Sequence, residues 1–392
     1  MNIVKMAWRN VWRNKRRSLV TIAAMAFALL VTILYSGLAT GMLHGLERNV
    51  LEMELGDIQV FAEGYRDKPQ IYSSMADSSA LIKKLEGEGY RASQRLLAVG
   101  LAAAKDQSAG VSFRGVEVER DATVTKVQTK VAHGKWLDAK DAAGVVLGRR
   151  LAKTLNVKVG DELVVLTQAS DGSMANELYK IRGILGGVSA EVDRAGVYLN
   201  AAAFRELMVM PQGAHQLIVR RPLGMDLVLA AALAVKLLPG QDVQTWKALM
   251  PTIASMMENS TAMLYTMFFI IYIAIGLVIL NAMLMAVFER IREFGVLKAI
   301  GMGPGTVFSL VIAECVVQVG IALTVGIGLS LPGVWYLKEY GIDLGGMGNL
   351  EVHGMSWDMV WRAELSVAAF TGPIMIMLTV VFLAVLYPAI KA

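Results

Sequence analysis

One cysteine in 392 residues excludes a disulfide within the chain. Cys315 lies in an apolar stretch beside Glu314, a place that suits a small buried side chain. The four histidines, His44, His133, His215 and His353, are far apart in sequence, and no H-E-x-x-H pair is present. There is no G-x-x-x-x-G-K-[ST] phosphate loop and no G-x-S-x-G turn. The glycines of GMGPG, Gly301, Gly303 and Gly305, are not followed by Lys-Ser or Lys-Thr, and Pro304 fits a turn between helices. The chain is therefore expected to hold no catalytic site, no metal and no cofactor of its own. Charge is also scarce. Only 18% of residues are charged against 55% hydrophobic, with a mean hydropathy of +0.50, which excludes a wholly soluble protein and describes a membrane protein with a substantial soluble part.

What is present is four long apolar runs. Residues 18–43 carry no charged side chain and are too long for a signal-peptide core, so they read as a retained first span (TM1). Residues 259–288 form a second charge-free run, residues 306–337 a third broken only by Glu314, and residues 365–390 a fourth. Each exceeds the roughly 20 apolar residues that cross about 30 Å of hydrocarbon. Lys5, Arg9, Arg13, Lys15, Arg16 and Arg17 precede the first run without an acid among them, and residues 289–305 and Lys391 are basic as well. The positive-inside rule places these segments in the cytoplasm. The connector 338–364, with Glu339, Asp343, Glu351, Asp358 and Glu364 against Lys338 and Arg362, falls outside. The net charge of +5 is thereby a matter of position, and no nucleic-acid partner is expected.

The large segment 44–258 then lies outside the membrane, between the first and second spans. Strand-like runs at 57–62, 111–118, 162–167 and 216–220 alternate with helical patterns at 78–87, 200–208 and 226–238. This is an α+β domain of two lobes. Within it a Gly160-Asp161 turn has a sufficient structural reason, since Gly relieves backbone strain and Asp caps the turn. Residues 45–55 and 243–259 are expected to continue the first two spans outward as stalk helices. Trp246, Met250, Met256 and Met257 pack there or offer a lipid-binding surface.

The short segment between the second and third runs, VFERIREFGVLKAIGMG, is helix-forming and amphipathic. Its run Asn281, Met285, Glu289, Arg290, Arg292, Glu293, Gly295, Lys298, Ala299, Ile300 and Gly301 resembles the end of the second membrane helix and the coupling helix of the FtsX-like permeases. That family includes the MacB-type exporters, the LolC and LolE lipoprotein-releasing permeases and FtsX itself. VVLGRRLAKTLNVKVGDELVVL resembles a segment common in their outer domains.

The resemblance implies a permease subunit of an ABC transporter in the bacterial inner membrane, with its large domain in the periplasm. ATP and Mg would be bound by a separate ATPase dimer, and a second permease subunit, like or unlike this one, would complete the complex. A periplasmic carrier or adaptor and membrane lipids are the other implied partners. Because the chain stops shortly after Tyr387-Pro388 without a fused ATPase, its layout is closer to LolC and LolE than to MacB. Lipoprotein extraction is the first expected function; export of a peptide or hydrophobic small molecule and regulation of a cell-wall hydrolase are the alternatives. Glu289, Arg290, Arg292, Glu293, Phe294, Leu297 and Lys298 are expected to dock the ATPase, with Phe294 and Leu297 as apolar anchors. Asn281, Glu314 and Gln318 are the polar groups within the spans, expected to pair with one another or across a dimer. The resemblance favours a structural role for Glu314 over a proton relay. Gly37, Gly41 and Gly45 form a row on the first helix that permits close helix packing, within one subunit or between two.

Overall fold

A computed structural model describes residues 3–343, 351–352, 355–356 and 360–391, the side chains of residues 49, 50, 297, 298, 351, 352, 355 and 356 excepted. The chain divides into two compact units. One comprises Met1–Gly45, Ser255–Gly346 and Met359–Ala392, and the other Leu46–Ala254 with Met347–Asp358.

The first unit contains four helices long and apolar enough to cross a membrane: Lys15–Val50, Pro251–Glu289, Pro304–Glu339 and Val367–Lys391. Each is helical because a long apolar run leaves its backbone groups no partners except those within the helix. Their shared core includes Met25, Leu29 and Ile33 of the first helix, Phe268, Tyr272 and Met283 of the second, Cys315, Val319 and Ala322 of the third, and Met377, Val381 and Val385 of the fourth. The buried Thr32 and Tyr272 hydroxyls satisfy each other at 2.6 Å. Phe269, Ile270, Leu277, Val278, Phe382 and Leu383 remain exposed, as side chains that meet acyl chains should. Two glycines of the row, Gly37 and Gly41, meet groups of the same chain. A Cβ on Gly41 would overlap the Arg362 carbonyl oxygen, and one on Gly37 would lie 3.5 Å from Val334, whereas Gly45 faces open space. The close approach lets Glu364 donate its backbone N–H to the Gly37 carbonyl at 2.9 Å.

Most of the basic segment before the first span is a helix, Ile3–Arg13. Ala7 and Val11 are buried, and the helix packs on Pro304–Glu339. In the connector, Ile342–Asp343 pairs antiparallel with Val360–Trp361. Asp358 and His353, with the Glu351 side chain, lie outside the described residues.

The second unit is a mixed α/β domain around ten strands: β1 (Ile58–Ala62), β2 (Arg91–Ala104), β3 (Gln107–Val116), β4 (Val131–Gly134), β5 (Gly144–Leu147), β6 (Glu162–Gln168), β7 (Met174–Leu185), β8 (Gly196–Asn200), β9 (Gln216–Arg220) and β10 (Gln241–Thr245). Strands β10, β1, β9 and β2 lie side by side, each antiparallel to its neighbour. Helix Ser78–Gly87 connects β1 to β2, and Leu227–Leu237 connects β9 to β10. This connectivity is the split βαβ lobe of ferredoxin-like folds. Everything from β3 to β8 is inserted into it as a second lobe.

That insertion closes on itself. β2 pairs β3, β3 pairs β8, β8 pairs β5, β5 pairs β7, β7 pairs β6, and β6 returns to β2 through Leu101–Leu166, Ala102–Val165 and Ala103–Val164. The ring is a six-stranded barrel, and closure removes its free edges. Alternation in β6 directs Leu163, Val165 and Thr167 inward and Val164 and Leu166 outward. The 14-residue β2 is long enough to serve both lobes: its first half pairs with β9 and its second with β6. The Gly160-Asp161 turn is structural, with Gly160 at φ +97° and the Asp161 carboxylate accepting from the Lys158 backbone N–H at 3.0 Å.

The second stalk differs from its expectation. Residues 241–245 are the edge strand β10, Trp246–Leu249 is a short helix, and the long helix begins only at Pro251. Strand pairing with β1 satisfies these backbone groups, so the helix cannot extend further back. Trp246 is fully buried in the domain and offers no lipid-binding surface.

Candidate functional site

The short helix Ile291–Ala299 and the ends of the two spans it joins form the candidate site. Arg290 stands at the break between Pro251–Glu289 and this helix. Its guanidinium donates to Glu314 Oε1 at 2.8 Å and to Glu293 Oε2 at 3.0 Å, and lies 5.2 Å over the Phe294 ring. Asn10 of the N-terminal helix donates to the same Glu314 oxygen at 2.6 Å. Arg13 donates to both Glu293 oxygens at 2.9 Å, and Arg17 to Glu289 at 2.7 Å. Asn10, Arg13 and Arg17 repeat at intervals of three and four residues, which gathers them on one side of the chain. Bonds from Arg13 and Arg290 hold the Glu293 carboxyl below the usual carboxylate range. A cavity of about 220 Å³ lies among these groups, bounded also by Ser18, Thr21 and Gln318.

The three polar residues of the spans are not brought together. Glu314 is bonded to Arg290 and Asn10; Gln318 is buried one turn further along and lines the same cavity; Asn281 is exposed on its own helix. Glu314 can pair with Arg290 because it sits in the third turn of its helix, level with the start of the loop. Its carboxylate is thus bonded to a permanently charged guanidinium and an amide.

Phe294 departs from its expected role. It is 2% exposed, packed with Val287, Val307, Val311 and Ala389 of its own chain, and therefore presents nothing to a partner. The apolar surface of the loop is instead Ile291, Val296 and Ile300, with Phe288 before it, all more than half exposed. Arg292 is exposed as well, while the side chains of Leu297 and Lys298 lie outside the described residues. The helix is thus bound to the chain through Phe294 and Arg290 on one side and apolar on another. Charge alone marks the basic arm as an orientation signal and does not place Asn10, Arg13 and Arg17 at this site. The recurring Val4, Trp8, Val11 and Trp12 among those cations is the amphipathic pattern that identifies this helix. Among the described residues no group of His, Cys, Asp or Glu could hold a metal ion.

A family model described as the MacB-like periplasmic core domain matches residues 18–253, and one described as the FtsX-like permease C-terminal region matches residues 265–392. Among solved structures the chain is similar to the periplasmic region of MacB from Actinobacillus actinomycetemcomitans, at 12% identity over 50% of this chain and 92% of that one, with a TM-score of 0.38. It is also similar to the extracellular domain of the ABC-type transporter YknZ from Gram-positive bacteria, at 12% identity over 48% and 99%, with a TM-score of 0.34. The search of curated proteins gave no match. With both of its parts matched in order, the chain belongs to the FtsX-like ABC-transporter permeases that carry a MacB-like periplasmic core domain.

Proposed function

We propose that this chain is the non-catalytic membrane subunit of an ABC transporter of the bacterial inner membrane, and that it carries motion from a separate ATPase dimer to a periplasmic domain in order to extract a hydrophobic cargo. The observation that carries the reading is the two-sided loop helix: Ile291, Val296 and Ile300 are free to enter a groove on a partner, while Phe294, Arg290 and Glu293 tie the same helix to the spans and the N-terminal helix. Such a helix moves with whatever holds its exposed face. Buried apolar anchors supply most interface energy, and the exposed Arg292 is suited to setting orientation.

A hydrophobic cargo is supported by the scarcity of charge in the spans. Glu314, the one acid in the third run, is taken up by Arg290, so little remains to line a wet path for a polar solute. Lipoprotein is the cargo we propose first. The test is mass spectrometry of material retained by the intact complex, purified with an ATPase variant that binds but does not hydrolyse ATP. Acylated protein supports lipoprotein extraction; a small amphiphile or free peptide shows export instead; a cell-wall hydrolase and no cargo shows a regulator.

A further inference from the structure

The first stalk enters the domain through LEMELGD, residues 51–57, whose three spaced acids each meet a base. Glu52 pairs with Lys126 at 2.9 Å, Glu54 with Arg114 at 2.8 Å, and Asp57 with Arg220 and Arg221 at 3.4 and 3.3 Å. These bases belong to different lobes. Arg114 lies on barrel strand β3, whereas Arg220 ends strand β9 of the split lobe and Arg221 follows it. Between Glu54 and Asp57 the chain turns at Gly56, with φ +65° and a Cβ position only 2.7 Å from Ile218. No other residue type fits that turn without displacing β9.

Glu54 is the most elaborately held of the three. One oxygen accepts from Arg114 Nε at 2.8 Å and the Tyr198 hydroxyl at 3.1 Å, with Arg95 Nη1 at 3.6 Å. The other accepts from Ser189 Oγ at 3.2 Å. The receiving groups are built by the domain itself. Arg95, only 2% exposed, is fixed by Asp121 at 3.3 Å, and Asp121 by the Thr125 hydroxyl at 2.7 Å. Burial beside the Glu54 charge raises the Tyr198 hydroxyl well above its ordinary range, so it remains a donor. Glu54, Arg95 and Arg114 also line a cleft of about 590 Å³, together with Gln59, Tyr65 and Gln216 from the split-lobe side and Leu97, Val99 and Thr167 from the barrel side.

We propose that Glu54 is a positioning residue that makes the barrel follow the first spanning helix, while Asp57 holds the split lobe, so that a displacement of that helix changes the cleft between the lobes. A half-buried carboxylate with three hydrogen-bond donors and a second guanidinium beside it suits this task because partial separation leaves the buried Arg95 and Arg114 charges unpaired, favouring discrete bonded arrangements over gradual sliding. The inference rests on the ATP-coupled reading above.

The test uses the full permease with its ATPase in detergent or nanodiscs, comparing wild type, Glu54→Gln and Glu54→Asp by hydrogen exchange with and without ATP and by cargo transfer. In wild type, ATP should alter exchange in residues 46–55 and in β3 and β8. Glu54→Gln, which keeps the shape and loses the charge, should retain ATP turnover and the ATP-dependent change in residues 291–299, but lose the change in β3 and β8 and about tenfold in transfer, the size of a typical coupling between sites. Glu54→Asp should recover part of both. Changes in β3 and β8 that persist unaltered in Glu54→Gln overturn the proposal. So does a general loss of protection throughout the barrel, which marks Glu54 as merely structural. Absence of any ATP effect in wild type, residues 291–299 included, overturns the ATP-coupled reading itself.

Discussion

Arg290 and Glu314 join the end of the second spanning helix to the third at 2.8 Å, with side chains 13% and 11% exposed. The pair is shielded enough for the loss of one member to matter and open enough for water to soften it. Glu314→Ala leaves Arg290 without its interior partner, and the expected loss is about 2 to 4 kcal/mol, at or below the range for fully buried pairs. Glu314→Gln keeps an acceptor for Arg290 and Asn10 and should lose less. Thermal unfolding in detergent orders the three proteins; an unchanged Glu314→Ala midpoint would show that the bond contributes nothing.

The two faces of the loop helix separate stability from docking. Phe294→Ala empties a site in the chain's own core and should cost about 3 kcal/mol or more of stability, visible as poor expression or early melting. Val296→Glu alters an exposed side chain and should leave folding intact while reducing ATPase capture by about tenfold, roughly 1.4 kcal/mol. Co-purification with the ATPase, normalised to folded permease, distinguishes these effects. Equal capture by Val296→Glu and wild type would remove the exposed face from the interface.

The glycines of the first helix should respond unequally. Gly41→Ala drives a methyl into the Arg362 carbonyl, so the connector must shift and the melting temperature should fall. Gly45→Ala meets open space in a helix and should be neutral or stabilise by about 0.5 to 1 kcal/mol. A fall of similar size in both variants would contradict the geometry.

His215 provides a pH-dependent element within the domain. Its Nδ1 accepts the Leu97 backbone N–H at 3.0 Å, so Nε2 carries the proton and donates to the Ile71 carbonyl at 3.0 Å. Burial, reinforced by the Arg205 charge, lowers the imidazole pKa. The unfolded chain therefore binds a proton at about pH 6.5, where the folded chain does not, and stability falls as pH drops below that value until the folded pKa is reached. The slope attributable to this group is at most about 1.4 kcal/mol per pH unit. Protection of β2 against hydrogen exchange, corrected for intrinsic rates, should weaken as pH falls below about 6.5 in wild type and less in His215→Gln. The same slope in both proteins would assign the effect to other groups.

Membrane sidedness follows from the charge asymmetry, with Gly110 expected outside and Gly303 inside. Both are exposed glycines whose Cβ positions are open and whose φ values lie outside the left-handed region. The native Cys315 is buried and should give little background. In sealed cells an impermeant thiol reagent should label Gly110→Cys and spare Gly303→Cys; the reverse pattern would invert the topology.

The sequence by itself determined the four long helices, because roughly 20 consecutive apolar residues leave the backbone no other way to satisfy its hydrogen bonds in lipid. It also determined Ser78–Gly87, Glu162–Gln168 and Gln216–Arg220 to within a residue, since local periodicity and flanking turns define such elements. It identified the loop helix but misassigned Phe294, because a nine-residue helix between two spans can bury more than one face, and only the positions of Val307, Val311 and Ala389 decide which. Residues 243–245 read as helix for the same reason: strand β10 exists only through β1, whose paired residues lie more than 180 positions away in sequence. Barrel closure, the shared use of β2 and the meeting of Glu54 with Arg95, Arg114 and Tyr198 likewise depend on contacts between distant segments. In sequence those four residues are ordinary charges and a tyrosine on separate elements. Folding gathers them where Arg95, Arg114 and Tyr198 are buried and must find partners, and only the tertiary structure supplies Glu54 as that partner.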